Sequence, residues 1–428
     1  MRANQVFTPN DYPTYTYVSR NEDRLESRLR DALDTPGEIV SVSGPSKSGK
    51  TVLVEKIAGR ENLITVTGAG VTSTGELWSK VLNKLEVPTS ETETDTDSTG
   101  DGTQVGGKGT VKVPLIAELG ADARYTTNNS TSRTKSKTHN RGGLDQITSA
   151  LANTEKVLFI DDFHYMDSDM QKRTAREIKE AARNGVKICT ASVPHRSDDV
   201  VRSNPELRGR VRAVDTKPWS KKDLLQIAEI GFPKIGVILK SEIIQKIAEE
   251  ASQSPQLMQA ICLQLCYTKS IRDGVESRKS RVEVTEDELK QIFEETATKT
   301  DFASLLKIQH AGPKVRGTER KEFNLSDGSR GDVYRALLIA IKQDPPLLSL
   351  PWNEISKRVQ RVCSPDTPQA ASLSTACLQI SKMAKDLFPE QRIIDWEGEP
   401  TSILSIEDPY YLFYLRWSEK LKDIATPL

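Results

Sequence analysis

The stretch GPSKSGKT, residues 44–51, constrains this chain more than any other. It follows the apolar run Ile39-Val40-Ser41-Val42 with only Ser43 between, and it opens the segment TVLVEKIAGR, which reads as a helix. A glycine-bounded turn between a buried strand and a helix lets successive backbone N–H groups converge on one point, and the helix start adds partial positive charge. The spacing G-x-x-x-x-G-K-[ST] in that context predicts a phosphate-binding loop. Gly44, Ser46, Lys47, Ser48 and Gly49 would form the cradle, Lys50 would reach the β- and γ-phosphates, and the Thr51 hydroxyl would ligate Mg²⁺.

About a hundred residues downstream, VLFIDD is an apolar strand that ends in two acids. Mg²⁺ is a hard cation that takes carboxylate directly or through water. Asp161 at the strand's carboxyl end is therefore the candidate second metal group, and Asp162 the candidate to polarise an attacking water. Capping of the next helix is the plainer role for such a pair. The run ICTAS ends a further strand in hydroxyl residues, so Ser192 or Thr190 could sense a γ-phosphate; a strand-end turn is the alternative. In NPELRGRVRAV, Arg208, Arg210 and Arg212 stand at the entry to the last strand. An arginine there can reach a neighbouring subunit's nucleotide and stabilise transition-state charge, or these are solvated surface residues. Arg196 is a further candidate. His164 and His195 lie nearby without partners for nucleophilic or metal chemistry and read as ordinary polar positions.

Strands are expected at 38–43, 62–68, 156–162, 186–192 and 211–219, alternating with helical segments. Continuous apolar runs in that alternation mean an α/β fold with a parallel sheet covered on both faces. Residues 88–142 interrupt it with a Thr/Ser/Gly/Asp-rich tract too polar to fold alone, followed by a period-two stretch around 115–125 that predicts a half-buried strand or hairpin. Residues 220–300 are purely helical in periodicity, 301–330 irregular, and 331–428 give three helices and a hairpin, the layout of a winged helix.

Lys+Arg equals Asp+Glu at 60 each, so no whole-chain field is tuned for nucleic acid or an anionic membrane. The five cysteines sit mostly in apolar runs; Cys262 and Cys266 are four apart but lack two further ligands, so buried thiols in a reducing compartment are expected rather than a zinc site. The N-terminal segment lacks the apolar core of a signal peptide, and no apolar stretch approaches membrane-spanning length, so a cytoplasmic protein is expected.

With these motifs the chain resembles the AAA+/STAND group of P-loop ATPases, particularly the compact bacterial and archaeal type with a C-terminal winged helix. YVSRNEDRLESRL resembles that group's opening box, with Ser19 in place of its glycine, Arg20 in position and Glu22 one residue late. GPSKSGKT and VLFIDD resemble its two nucleotide motifs; the second acid is Asp162 where motors more often carry glutamate. RVRAVDTKPWSKKDLLQIAEIG resembles the entry to the helical lid. SQSPQLMQAICLQL resembles the lid's Gly-x-Pro box, with Gln253 in the glycine's place and Pro255 as the residue that packs on the base. IEDPYYLFYLRW, residues 406–417, resembles the segment that closes the winged helix. The resemblance is specific over 15–90 and 143–270. It implies a P-loop NTPase sheet domain over 1–219, a helical lid over 220–300, a linker over 301–330 and a winged helix over 331–428. It further implies ATP with Mg²⁺, slow hydrolysis to ADP and phosphate, a homo-oligomer, a separate effector protein, and a switch used in signalling or in defence against phage.

An initiator- or regulator-like ATPase that binds nucleic acid through the winged helix is the alternative. Acids balance bases over 330–428, and the third helix of that region offers only Lys382 and Lys385, which argues against it. The insertion reads as a surface loop or as a strand pair that assembles on oligomerisation.

Overall fold

The computed structural model describes residues 1–20, 23–86, 91–96, 134–139, 143–192, 204–274, 279–314 and 319–425. The chain divides into two compact units. One comprises Arg28–Val42 and Glu55–Val214; the other comprises Met1–Ser27, Ser43–Val54 and Asp215–Leu428.

The first unit is built on strands β1 (Ile39–Ser43), β2 (Leu63–Thr67), β3 (Glu91–Thr96), β4 (Thr134–His139), β5 (Val157–Asp161), β6 (Lys187–Ser192) and β7 (Val211–Asp215). Five of them form one sheet in the order β2-β5-β6-β1-β7. β2 runs parallel to β5, with Thr67 opposite Asp161, and β5 runs parallel to β6. All five expected sheet strands are present. The three inner strands form because each is a short apolar run that loses water on both faces: Leu158, Phe159 and Ile160 of β5 and Ile188 of β6 are fully buried, whereas the edge strands β2 and β7 keep part of their length in water. Helices Thr74–Lys84, Leu144–Leu151 and Ser168–Arg183 supply the covering side chains, among them Leu77, Trp78, Val81, Ile147, Leu151 and Ile178. Ser73 and Asp167 cap two of these helices by accepting the amides of Glu76 and Met170.

Two expectations change here. β7 stops at Asp215 rather than continuing to 219; Pro218 has no N–H to offer a ladder. β3 and β4 pair antiparallel within a stretch whose composition predicted no structure, with Glu93 opposite Lys137 and Asp95 opposite Lys135. Threonine favours extended backbone, so a ladder can form there without an apolar run. The period-two stretch at 115–125 lies outside the described residues, as do Glu22, His195 and Arg196.

In the second unit, helices Lys221–Lys234, Ser241–Glu250, Pro255–Thr268 and Glu286–Ala297 form the expected helical region. A two-residue parallel pairing of Val237–Ile238 with Ser280–Arg281 is added to it. The N-terminal segment packs into the same region: Phe7 meets Phe232 with ring centroids 4.8 Å apart, and Gln259 donates to the buried Thr16 hydroxyl at 2.7 Å. Residues 301–330 are not irregular throughout. They hold a helix, Ala303–Ala311, and a short hairpin of Phe323–Asn324 with Arg330–Gly331 turning at Gly328, φ +81°. The helix forms because Leu305 and Leu306 bury completely and the buried Gln309 is satisfied by the Tyr411 hydroxyl and the Ile380 carbonyl.

Helices Val333–Ile341, Trp352–Val362 and Ala370–Leu387 precede the hairpin of Ile394–Glu397 with Ile403–Ile406, as expected of a winged helix. A third strand, Ser349–Pro351, joins it by pairing with Ile403–Ser405. The helix Pro409–Trp417 follows, capped by Asp408. The five cysteines are free and buried; burial pushes the Cys363 thiol up to about 11 and Cys377 to about 12, which suits packing and not metal ligation at neutral pH. Among the described residues no helix is long and apolar enough to cross a membrane.

Candidate functional site

The phosphate loop leaves β1 and enters the helix Lys50–Ala58. Its two glycines are required for different reasons. A Cβ on Gly44 would sit 1.7 Å from the Thr216 hydroxyl oxygen, whereas Gly49 has open space but φ +87°, a conformation that L side chains rarely adopt. Thr216 closes the loop's base: its amide and hydroxyl both donate to the Ser43 carbonyl, at 2.7 and 2.9 Å. Ser43 donates to Asp215 at 2.7 Å, and the Ser48 hydroxyl lies 3.3 Å from that of Thr216. Trp219 donates its indole N–H to the Ser48 carbonyl at 2.8 Å, and the Arg20 guanidinium stacks over the Trp219 ring at 5.1 Å. Arg20 also donates to the Lys217 carbonyl at 2.6 Å, and its burial lowers its pKa.

Lys50 turns back on the loop, its ammonium 2.9 Å from the carbonyls of both Gly44 and Pro45. A cation held over the loop's own backbone is placed to exchange those carbonyls for phosphate oxygens. Lys47 does something different. It adopts φ +58°, the left-handed region, and its ammonium reaches both carboxylate oxygens of Asp408, at 3.0 and 2.8 Å. The same ammonium lies 4.4 Å from the centroid of the Tyr410 ring. Ser46 and Thr51 are half-buried.

On the sheet unit, Asp161 is the last residue of β5, and its carbonyl accepts the Gly68 amide at 2.8 Å. Its carboxylate accepts the amide of Asp162 at 2.9 Å. Asp162 then turns into the left-handed region, φ 56° and ψ 34°. Asp tolerates that region better than most residues, and a strained residue at the end of a strand is a recurrent feature of functional sites. The close passage of Gly68, where a Cβ would lie 2.8 Å from the Asp162 carbonyl, leaves the turn no room to relax.

Of the two hydroxyls on β6, Thr190 is engaged in the sheet, donating to Val40 at 3.3 Å. The Ser192 hydroxyl is buried with no hydrogen-bond partner among the described residues. Arg212 is tied to Glu38 by two bonds of 2.8 and 3.1 Å, whereas the side chains of Arg208 and Arg210 are exposed. His164 is buried against the Tyr165 ring. Pro255 is the first residue of its helix, capped by Ser254; Gln253 just before it has φ +62°, the left-handed region that glycine adopts most readily.

The loop, Thr216, Trp219, Arg20, Pro255 and Asp408 belong to one unit, and the acid pair, Ser192 and the arginines to the other. Sequence reasoning missed Thr216, Trp219, Asp408 and Tyr410. Asp-Pro at 408–409 is a helix-start signal, but no local pattern announces a loop partner 361 residues away.

No protein-family model matches the sequence, and no curated protein matches it. Solved structures do. Cdc6p from Pyrobaculum aerophilum is similar at 15% identity and TM-score 0.40, over 99% of both chains. A Walker-type ATPase of Pyrococcus abyssi is similar at 12% identity and TM-score 0.48, over 94% of this chain and 96% of that one. The RuvB Holliday junction branch migration motor of Thermotoga maritima is similar at 12% identity and TM-score 0.41, over 92% and 94%. With a phosphate-type loop leaving β1, an acid pair closing β5, and a helical region followed by a winged helix, this chain has the fold of a P-loop NTPase.

Proposed function

We propose that the chain is an ATP-binding nucleotide switch of the AAA+/STAND type that hydrolyses ATP slowly and couples its nucleotide state to oligomerisation or signalling. The observation that carries this reading is the Lys50 ammonium poised over the carbonyls of Gly44 and Pro45 in a loop whose glycines have the required backbone freedom. Backbone amides of Gly44, Ser46, Lys47, Ser48 and Gly49 and the amide end of the helix Lys50–Ala58 would hold the β-phosphate, and Lys50 the γ-phosphate. Mg²⁺ would take the Thr51 hydroxyl and the Asp161 carboxylate; a hydroxyl, one hard acid and phosphate oxygens suit an ion that keeps several waters. Asp162 would orient water, Ser192, whose buried hydroxyl has no hydrogen-bond partner among the described residues, would read the γ-phosphate, and Pro255 would pack on the base. Exposed Arg208 and Arg210 would serve a neighbouring subunit's nucleotide in a homo-oligomer. The domain limits proposed are 1–219, 220–300, 301–330 and 331–428. A cytoplasmic location, a separate effector and a role in phage defence belong to the same proposal.

Calorimetry with ATP and Mg²⁺ tests it. Lys50→Ala is expected to abolish binding, and Asp162→Ala to spare binding while slowing turnover. Unchanged affinity in Lys50→Ala would rule out the loop as the site. The nucleic-acid reading gains no comparable support: the helix that carries Lys382 and Lys385 has no other Lys or Arg, and its Leu378 is 52% exposed.

A further inference from the structure

Two lysines stand three residues apart in one loop, and only Lys50 is needed to explain phosphate binding. Lys47 is spent on Asp408, 361 residues away. The pair is half-withdrawn from water, with side-chain exposures of 29% and 11%, so its attraction is less screened than that of a surface pair. Holding it requires a non-glycine residue at φ +58° inside a turn where glycine is the usual occupant of that region. The Tyr410 ring supports the ammonium from a second side.

Asp408 is itself fixed. Its amide donates to the Ile393 carbonyl at 3.2 Å, and its Oδ1 accepts the Tyr410 amide at 2.9 Å, capping the helix Pro409–Trp417. The other end of that helix is clamped to the helical region. Arg416 donates twice to Glu250, at 2.9 and 2.6 Å, and Trp417 donates its indole N–H to the same carboxylate at 2.7 Å. One nine-residue helix thus has its first turn on the phosphate loop and its last turn on the end of Ser241–Glu250.

A carboxylate beside a phosphate loop opposes an incoming polyanion, both by its own charge and by occupying a cation the anion would use. We propose that Asp408 is a built-in competitor for nucleotide phosphate: it holds Lys47, and a bound nucleoside triphosphate takes Lys47 from it, releasing the first turn of Pro409–Trp417 while Glu250 keeps the last. This rests on the loop being the phosphate site. The exchange gives the ligand a differential contact between two arrangements, which is what a shift of population needs. Nucleotide binding and winged-helix docking then oppose one another by the same factor, whichever is varied.

The test is a titration of the full chain with a fluorescent non-hydrolysable ATP analogue and Mg²⁺. The variants are Asp408→Asn, Lys47→Met, the double variant and Lys50→Ala. Asparagine caps a helix as well as aspartate does, so Asp408→Asn removes the charge and keeps the cap. The expected result is binding about fivefold tighter in Asp408→Asn, and no further effect of that change in the Lys47→Met background. Unchanged affinity in Asp408→Asn, with binding lost in Lys50→Ala, overturns the competitor and leaves the phosphate loop standing. The same gain in both backgrounds also overturns it, because the effect would not run through Lys47. A wild-type chain that binds no nucleotide, or a Lys50→Ala chain that binds it normally, overturns both.

Discussion

The cores of the sheet unit and of the winged-helix region are both built on apolar side chains, but the second adds buried cations that the first lacks among the described residues. Among the described residues, the buried side chains of the sheet unit include no Arg, Lys, Asp or Glu; β5 and β6 bury Leu158, Phe159, Ile160 and Ile188. The winged-helix region buries Arg335 and Arg358 at 2% and 0% exposure. Arg358 donates to Glu354 at 2.7 Å and to the carbonyls of Gln343 and Pro345 at 2.8 and 2.7 Å, just beyond the end of the helix Val333–Ile341. Arg335 donates to Ser329, Asp327 and the Leu421 carbonyl. Apolar burial is non-directional and tolerates repacking. A buried guanidinium fixes each of its acceptors in place and tolerates neither loss nor exchange. The sheet is a scaffold that many sequences could fill, whereas the winged helix also carries a few buried cations whose exchange is costly.

That contrast breaks first at Arg358. Arg358→Ala removes a fully buried side chain and takes its hydrogen bonds from the half-buried Glu354 and from the carbonyls of Gln343 and Pro345, and a loss of about 3–5 kcal/mol is expected in chemical denaturation. Arg358→Lys should recover only part of it, because an ammonium cannot reproduce the fork. Leu158→Ala in β5 is expected to cost about 2–4 kcal/mol through lost transfer energy and a cavity. Here the volume-conserving Leu158→Ile should restore most of the loss, leaving about 1 kcal/mol. If Arg358→Lys were as mild as Leu158→Ile, the distinction between the two cores would be gone.

The same contrast explains what could be read from the sequence. Apolar runs such as VLFID and KICTAS announce buried strands because burial is periodic and local, and all five sheet strands were legible for that reason. So were the loop and the acid-terminated strand, which are local motifs in the right flanking structure. Illegible were the contacts that depend on long sequence separation: Lys47 with Asp408, Trp219 with Ser48, Arg416 with Glu250. The helix Ala303–Ala311 escaped notice because its stability comes from tertiary burial of Leu305, Leu306 and Gln309 in a segment with weak helical signals of its own. β3 and β4 escaped because polar threonine-rich strands carry no apolar periodicity to set them apart from linkers.

The smallest expected effect is the dependence of stability on pH carried by His310, half-buried beside Arg335. His310 Nε2 lies 3.3 Å from the Arg335 guanidinium. Burial lowers the His310 pKa, and Arg335 lowers it further, against a weaker opposing pull from Asp332. The folded imidazole therefore resists a proton that the unfolded chain accepts near pH 6.5. A group whose pKa is depressed by folding loses stability as pH falls: full stability above about pH 6.5, and a progressive loss from there down to the folded pKa. His310→Gln removes the titrating group while keeping a neutral polar side chain beside Arg335. Denaturation at pH 7.5 and at pH 5.5 should show a shallower decline in this variant than in the wild type. Equal declines would mean that neither the burial of His310 nor the guanidinium beside it holds the imidazole neutral in the fold.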